Sequence, residues 1–305
     1  MLSFIIRRLL IIIPMALVVV TLTWGLIRIA PGNFYSAEKK LPPAVEATIR
    51  KKYGLDKPWY SQYGIMMSNI VRGDFGDSLK YQGQSVNEII WRHIPYSATI
   101  GVLAYLLALT LGLTAGTIAA LKQNSLFDYG SMSLAMFGLS VPNFVLGPIL
   151  VLIFSFGVAW FPPARWGGPL AIVLPVITLA AIYTAYIARL TRAGMLEVMR
   201  SDYIRTARAK GLDEKTVLLR HAVRGGIIPV VSFTGPALAG LLAGTVVVEK
   251  VFAIPGLGNI FIQSVLNRDE PLTLGIVAFL SIMIMLFNLA VDISYGFLDP
   301  RIRYE

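Results

Sequence analysis

The chain has 305 residues, of which 56% are hydrophobic and only 14% charged, and its mean hydropathy is +0.68. Soluble proteins carry about 25% charged residues, so an all-α integral membrane protein that crosses the bilayer several times is the expected class. The net charge is +10 and there is no cysteine, which excludes disulfides, thiolate catalysis and cysteine-ligated metals. Nucleic acid is not an expected partner, because much of the positive charge sits beside apolar runs, where orientation in a membrane accounts for it.

Taken in chain order, the first element follows Arg7 and Arg8 and runs uncharged over Leu9–Ile27. It exceeds the roughly 7–15 apolar residues of a cleavable signal and no A-x-A site follows, so it is expected to stay as a first span within residues 1–30. Residues 31–95 form the one sizeable polar segment. Val45, Ile49 and Tyr53 in LPPAVEATIRKKYGL have helical spacing after a proline start, and Val86, Ile89 and Ile90 predict an amphipathic helix leading into the next span. Five further runs approach the 20 or so apolar residues of a spanning helix: Tyr96–Leu121, a run starting at Tyr129, Trp166–Ala188, Gly225–Val248 and Pro271–Val291. The run from Tyr129 is uncharged to Ala164, too long for one simple helix. Pro142 and Pro148 inside it predict either a kinked helix or a helix plus a re-entrant turn, closed by Phe161–Pro162–Pro163. Six spans result.

Their orientation follows from Lys and Arg near the span ends. Arg7 and Arg8 place the N-terminus inside, the Lys122 loop is then inside, and the loop with Arg165 is outside. The 189–227 loop carries Arg189, Arg192, Arg200, Arg205, Arg208, Lys210, Lys215, Arg220 and Arg224 against four acids and falls inside, as does the 299–305 tail with Arg301 and Arg303. Residues 31–95 are basic yet outside, but exceed the roughly 60 residues over which the rule applies. They are expected to form a small, mostly helical extracytoplasmic domain. Residues 96–298 would then be a five-helix core.

No catalytic or metal-ligating constellation is expected. His93 and His221 have no acid–nucleophile partners, H-E-x-x-H is absent, and Lys215–Thr216 lacks the glycine frame of a phosphate-binding loop. The chain should therefore not hydrolyse ATP itself. Ion-coupled transporters place ionisable groups within their spans. Here Glu249, Asp292 and Arg189 stand at span ends, where interfacial anchoring is sufficient, and this argues against a proton relay.

The positive finding is DYIRTARAKGL at 202–212. Ser201 or Asp202 is a plausible N-cap, Tyr203–Lys210 makes about two helical turns, and Gly211 suits a left-handed C-cap. Asp213 caps a helix over Glu214–Val223, which is expected to end before Gly225–Gly226 and Pro229. Orientation alone would account for the charge, but not for this ordered layout.

YIRTARAKGL followed by LLRHAVRGGIIPVV resembles the cytoplasmic loop of ABC-transporter permeases of the dipeptide/oligopeptide importer family. Arg205–Thr206–Ala207 stands where the general pattern has Glu-Ala-Ala, Gly211 matches its glycine, and Pro229 lies five residues later than the general spacing. That longer form is typical of the peptide branch. MLSFIIRRLL, RIAPG, GDFGDSLKYQGQSVNEII, AALKQNSLFDY, VVVEKVFAIPGLG, NRD at 267–269 and VDISYGFLDPRIRY extend the resemblance over essentially the whole chain. LPP at 41–43 and Lys80–Tyr81 are closer to oligopeptide than to dipeptide permeases.

The resemblance implies the type I ABC importer transmembrane fold in a bacterial inner membrane. It also implies a homologous second permease, two cytoplasmic ATPases that hold ATP and Mg, and an extracytoplasmic peptide-binding protein as partners, with no cofactor on this chain. Tyr203, Arg205, Thr206, Ala207, Arg208, Ala209, Lys210 and Gly211 would contact an ATPase, with Ala207 and Gly211 giving close fit and the basic residues giving charge. Asn143, Tyr183, Tyr186, Ser232 and Thr234 are candidates for the oligopeptide path, although polar residues commonly join membrane helices. Asp74, Asp77 and Glu88 are candidates for docking the binding protein. The glycines of Gly256–Leu257–Gly258 need only a turn. Two alternatives stand beside this reading: a permease of the same family for dipeptides, nickel or glutathione, and an ion-coupled secondary transporter acting alone.

Overall fold

The computed structural model describes residues 2–29 and 56–298; the helix expected over 41–55 and the basic tail with Arg301 and Arg303 lie outside them. Among the described residues the elements are helices, together with one isolated bridge between Asp77 and Ser85. They are α1 Leu2–Ile29, α2 Trp59–Val71, α3 Val86–Leu121, α4 Leu126–Ser140, and α5 Asn143–Val151 prolonged by a π turn at Leu152–Gly157. There follow α6 Pro169–Met199, α7 Asp202–Ala209, and α8, which starts at Glu214–Thr216 and continues through a π turn at Val217–Ala222 into Val223–Gly226. The chain then forms α9 Ile228–Val251, α10 Leu257–Leu266 and α11 Glu270–Leu298. Five helices are long and apolar enough to cross a membrane, or six if the bent pair α4–α5 is one span. Helix is the natural solution for such runs, because it satisfies every backbone polar group within the segment.

The long run from Tyr129 resolves into two helices that meet at 106°. Ser125 starts the first, its hydroxyl accepting the Asp128 amide at 3.4 Å. Pro142 ends it: a proline has no N–H to continue the ladder, and it holds Val141 in an extended conformation, with φ −93° and ψ 115°. Pro148 is accommodated inside α5. Pro169 and Pro229 sit in the first turns of α6 and α9, where a missing N–H costs nothing.

Three boundaries differ from the sequence expectation. The amphipathic segment at 86–90 and the second span are one 36-residue helix, which passes through Pro95. Helix α6 runs to Met199, so Arg189 and Arg192 are helical rather than loop residues. Helix α8 does not stop before Gly225–Gly226 but includes both, so the 189–227 loop is mostly helical. Apolar periodicity marks where a helix leaves hydrocarbon, and α6 simply continues beyond that point.

The structure divides into two compact units. The first gathers the chain up to Pro95 with Gly256–Met285. The stripe Val86, Ile89 and Ile90 packs on Leu257 and Ile260 of α10 and Leu272 and Ile276 of α11. A second cluster sets Val20 of α1 and Leu274 and Ala278 of α11 against Trp24, Met66, Met67, Ile70 and Phe75. Helix α10, where the sequence had suggested only a turn, supplies half of the first of these faces.

The second unit spans Tyr96–Pro255 and the chain from Leu286. Its core joins Ile100, Ala104 and Ala108 of α3 to Leu174, Leu179 and Ile187 of α6 and Val230, Leu241 and Val248 of α9. Small residues bring the backbones together, as expected of membrane helices. A Cβ on Gly116 would fall 2.4 Å from the Ala188 carbonyl oxygen, and one on Gly194 2.3 Å from the Gly226 carbonyl oxygen. Glu249 overturns an expectation. It is fully buried rather than an interfacial anchor, and accepts a 2.6 Å hydrogen bond from the Ser97 hydroxyl.

Candidate coupling site

Helix α7 is short, polar on one side and apolar on the other. Ile204 and Ala207, three residues apart, are its buried positions. They sit on a platform made from Ala120 at the end of α3, Met195 of α6, and Val217 and Ala222 of α8. Full burial of a side chain the size of Ile204 is worth about 1.5–3 kcal/mol, and this packing supports eight residues that would not form a stable helix alone. Tyr203, half exposed, leans over Gly225: a Cβ there would fall 2.9 Å from its hydroxyl.

The C-terminus of α7 closes in a Schellman motif, with the Gly211 amide donating to the Arg208 carbonyl at 2.9 Å and the Leu212 amide to that of Ala207 at 3.4 Å. Gly211 has φ +80°, which an L side chain rarely adopts. Asp213 then caps α8, accepting the Thr216 amide at 3.0 Å, and the Thr216 hydrogen bonds hold its carboxyl below the usual carboxylate range. Arg208 forks onto Glu214, Nε to Oε2 at 3.1 Å and Nη2 to Oε1 at 2.6 Å. The hydrogen bonds of this pair lower the Glu214 carboxyl and raise the Arg208 guanidinium from their ordinary values.

Asp202, Tyr203, Arg205, Thr206, Ala209 and Lys210 are left on the exposed face. Arg205 stands 3.3 Å from the Asp202 carboxylate, and the Thr206 hydroxyl donates to the Asp202 carbonyl at 2.9 Å. Two of the expected contact residues also serve the fold of the chain itself. Ala207 packs inward on the chain's own platform, where a small side chain fits. Gly211 is required by its dihedral angle and has open space around it, so it is not a point of close approach within this chain. Arg208 is exposed and pairs with Glu214.

Four of the five polar span candidates lie on α6 and α9. The Tyr183 hydroxyl approaches Gly240, where a Cβ would be 2.6 Å away, and the Tyr186 and Phe233 rings are 5.3 Å apart. Thr234 shares a 2.6 Å hydrogen bond with the Tyr105 hydroxyl of α3, and Ser232 donates to the Ile228 carbonyl at 3.0 Å. Thr234 and Tyr183 therefore join helices, while Tyr186 remains 40% exposed. Asn143 opens α5, on another element. Tyr105 was not singled out in the sequence; a tyrosine in an apolar run, with a hydroxyl to satisfy, was the available sign.

In the first unit Asp74 accepts the Gly76 amide at 2.9 Å and, with Asp77, lines a cleft of about 480 Å³ shared with Arg28, Lys57 and Glu270. Glu88 is paired with Arg92 at 2.6 Å on the same helix. The residue that organises this region, Asp269, was only noted as part of NRD. It is fully buried; it accepts the Ser78 hydroxyl and the amides of Leu79 and Lys80, each at 3.1 Å, and of Leu272 at 3.3 Å. Among the described residues no group of three His, Asp or Glu side chains could hold a metal ion.

Comparison with known proteins places this geometry. Residues 112–304 match the family model for the binding-protein-dependent transport system inner membrane component, and residues 1–98 match the N-terminal model of the same membrane components. The oligopeptide transport system permease protein OppB of Haemophilus influenzae and that of Escherichia coli are each 44% identical over 306 aligned residues, covering all of both chains. The dipeptide transport system permease protein DppB of Bacillus subtilis is 42% identical over 94% of this chain and 93% of its own. Among solved structures, the MetNI methionine ABC transporter in an inward-facing conformation aligns with TM-score 0.57 at 16% identity, over 69% of this chain and 96% of that one. An amino acid ABC transporter with histidines aligns with TM-score 0.54 at 19% identity, over 69% and 94%. The structural likeness gives the type I ABC importer transmembrane fold, and the family models and full-length identities make the chain a member of the binding-protein-dependent transport system inner membrane component family.

Proposed function

We propose that this chain is one of two non-identical permease subunits of an ATP-driven importer of oligopeptides. The observation that carries the substrate is the 44% identity, over the full length of both chains, with the OppB proteins. By this reading two cytoplasmic ATPase subunits hold and hydrolyse ATP with Mg, an extracytoplasmic binding protein delivers the peptide, and a homologous permease completes the path. This chain contributes no catalytic group, metal or cofactor. Its first span is 1–30, its extracytoplasmic domain 31–95, its core 96–298 with the 189–227 coupling segment, and its cytoplasmic tail 299–305. Asp74, Asp77 and Glu88 face the binding protein in this arrangement.

The exposed face of α7, with Tyr203, Arg205, Thr206, Ala209 and Lys210, docks into a groove on an ATPase. Ala207 and Gly211 hold the helix in the shape that docks. ATPase closure displaces α7, and α6 and α9, which flank the segment, carry the motion into the membrane as a rigid-body change. Tyr186, Ser232 and Asn143 stand along a wide path, with Tyr183 and Thr234 securing its walls. A conduit that held peptides tightly would release them slowly, so selectivity resides in the binding protein.

The test is reconstitution with the second permease, both ATPases and the binding protein. ATPase activity should rise when the binding protein carries peptide, and labelled peptide should accumulate. Activity indifferent to loaded binding protein would defeat the reading. The 42% identity to DppB favours a second reading, dipeptide import. A series of peptides from two residues upward separates the two, since an oligopeptide system responds to the longer members.

A further inference from the structure

The platform under α7 is tied to a third part of the second unit by an ion pair with one buried partner. Asp128, in the first turn of α4, is only 2% exposed. Arg192, on α6, forks onto it, Nε to Oδ1 at 2.6 Å and Nη2 to Oδ2 at 2.7 Å. The carboxylate also accepts the Asn124 amide at 3.0 Å, from a residue held at φ +62°. A second tie lies alongside, the Arg200 guanidinium donating to the Gln123 amide oxygen at 3.3 Å. Between these two ties α6 contributes Met195 to the cluster that seats Ile204 and Ala207, and Ala120, which precedes the tied turn, belongs to the same cluster.

An ion pair with one buried carboxylate is a poor way to gain stability, since desolvating that charge offsets much of the attraction. What a bidentate, hydrogen-bonded pair does supply is fixed geometry. The close contacts nearby have the same effect: Gly116 of α3 meets the Ala188 carbonyl and Thr191 of α6, and Gly138 of α4 meets the Ala181 carbonyl. A displacement of α7 would therefore reach not only α6 and α8, its chain neighbours, and α9 beyond them, but also the start of the broken pair α4–α5.

We propose that Asp128 and Arg192 are positioning residues that transmit the movement of α7 to α4, so that the 122–128 turn and the C-terminal end of α6 travel as one body through the transport cycle. This rests on the coupling role assigned to α7 above. In this scheme they act through the helices they join, not through contact with an ATPase or the peptide.

Two measurements test it on the complete complex in membranes. In the first, D128N is compared with the parent for co-purification of the ATPases, basal ATPase activity, and stimulation by loaded binding protein. The expected result is normal assembly and basal activity with stimulation and peptide uptake each reduced about tenfold or more. D128N with unchanged stimulation would overturn the proposal, and so would a loss of stimulation that merely follows a loss of assembly. In the second, the Q123C/R200C variant is made in the cysteine-free chain and cross-linked with a short bifunctional reagent. Uptake should survive, because the joined segments do not separate, and the cross-link should restore stimulation to D128N. Abolished uptake in the cross-linked parent would show that they do separate and would sink the proposal. The parent complex distinguishes this from failure of the coupling reading itself: were it not stimulated by loaded binding protein, the function above would fall before any variant was compared.

Discussion

At the scale of single residues, the proposed docking role of α7 depends on side chains that face opposite ways. Ile204 is fully buried and Tyr203 half exposed, although they are neighbours in sequence. Ile204→Ala should cost about 2–5 kcal/mol of local packing, seen as faster amide exchange across 202–212, whereas Arg205→Ala should leave exchange unchanged and weaken ATPase association. Gly211→Val should cost about 1–2 kcal/mol by forcing a branched side chain into a left-handed conformation, lowering stimulated ATPase activity, while Gly211→Asn should retain most of it because asparagine tolerates that region. Equal effects of valine and asparagine would show that size, not backbone conformation, matters there. The Arg208–Glu214 pair sets a pH expectation. Its hydrogen bonds place the Glu214 carboxyl below its ordinary 4.5. A depressed carboxylate contributes its stabilisation above the unfolded value and loses it only as pH falls through the folded one. From about pH 6 to 8 Glu214 stays ionised, so the contribution of the pair to stimulation should be constant there, and Glu214→Gln should lower stimulation equally across that range.

At the scale of elements, contact through small residues decides how the helices meet. Gly116→Leu and Gly194→Val place atoms where a carbonyl oxygen already lies within 2.4 Å of a Cβ, whereas nothing lies within 4 Å of one on Gly101. Overpacking costs about 1–3 kcal/mol. The first two variants should lower the thermal stability of the detergent-solubilised complex and Gly101→Ala should not. The same contacts explain what could be anticipated from sequence and what could not. Apolar runs about as long as a bilayer is thick located each spanning helix, and Gly211 and Asp213 marked the end of α7 and the start of α8, because caps are local; of the two N-cap candidates Ser201 takes the position, without a side-chain cap hydrogen bond. The extension of α6 past Ala188, the passage of α8 through Gly225–Gly226 and the existence of α10 depend on what packs against them, which periodicity does not carry. Asp128 and Asp269 were missed, and Glu249 was misread as an interfacial anchor, for the same reason. Each lies at the end of an apolar run, where a carboxylate suggests an anchor in water, and only the fold supplies the Arg192 guanidinium, the Ser97 hydroxyl or the Leu79 and Lys80 amides that bury it.

At the scale of the whole molecule, charge is the basis for the proposed orientation. Arg200, Arg205, Arg208, Lys210, Lys215, Arg220 and Arg224 crowd the connection between α6 and α9, while the span ends near Arg165 carry little positive charge. Retaining the dense set in the cytoplasm is the outcome the positive-inside bias favours, and it places α7 on the side where ATP is available. The same proposal puts the segment between α1 and α3 outside, despite its being basic, because a stretch of this length translocates largely regardless of its charge. The chain has no cysteine, so single introduced thiols report orientation without background. Gln82 and Lys215 are both exposed, and neither carries a proposed contact. In spheroplasts a membrane-impermeant thiol reagent should label Q82C and spare K215C, and in inverted vesicles the pattern should reverse. Labelling of K215C from outside would put α7 out of reach of any cytoplasmic ATPase, and the coupling role would fail with the topology.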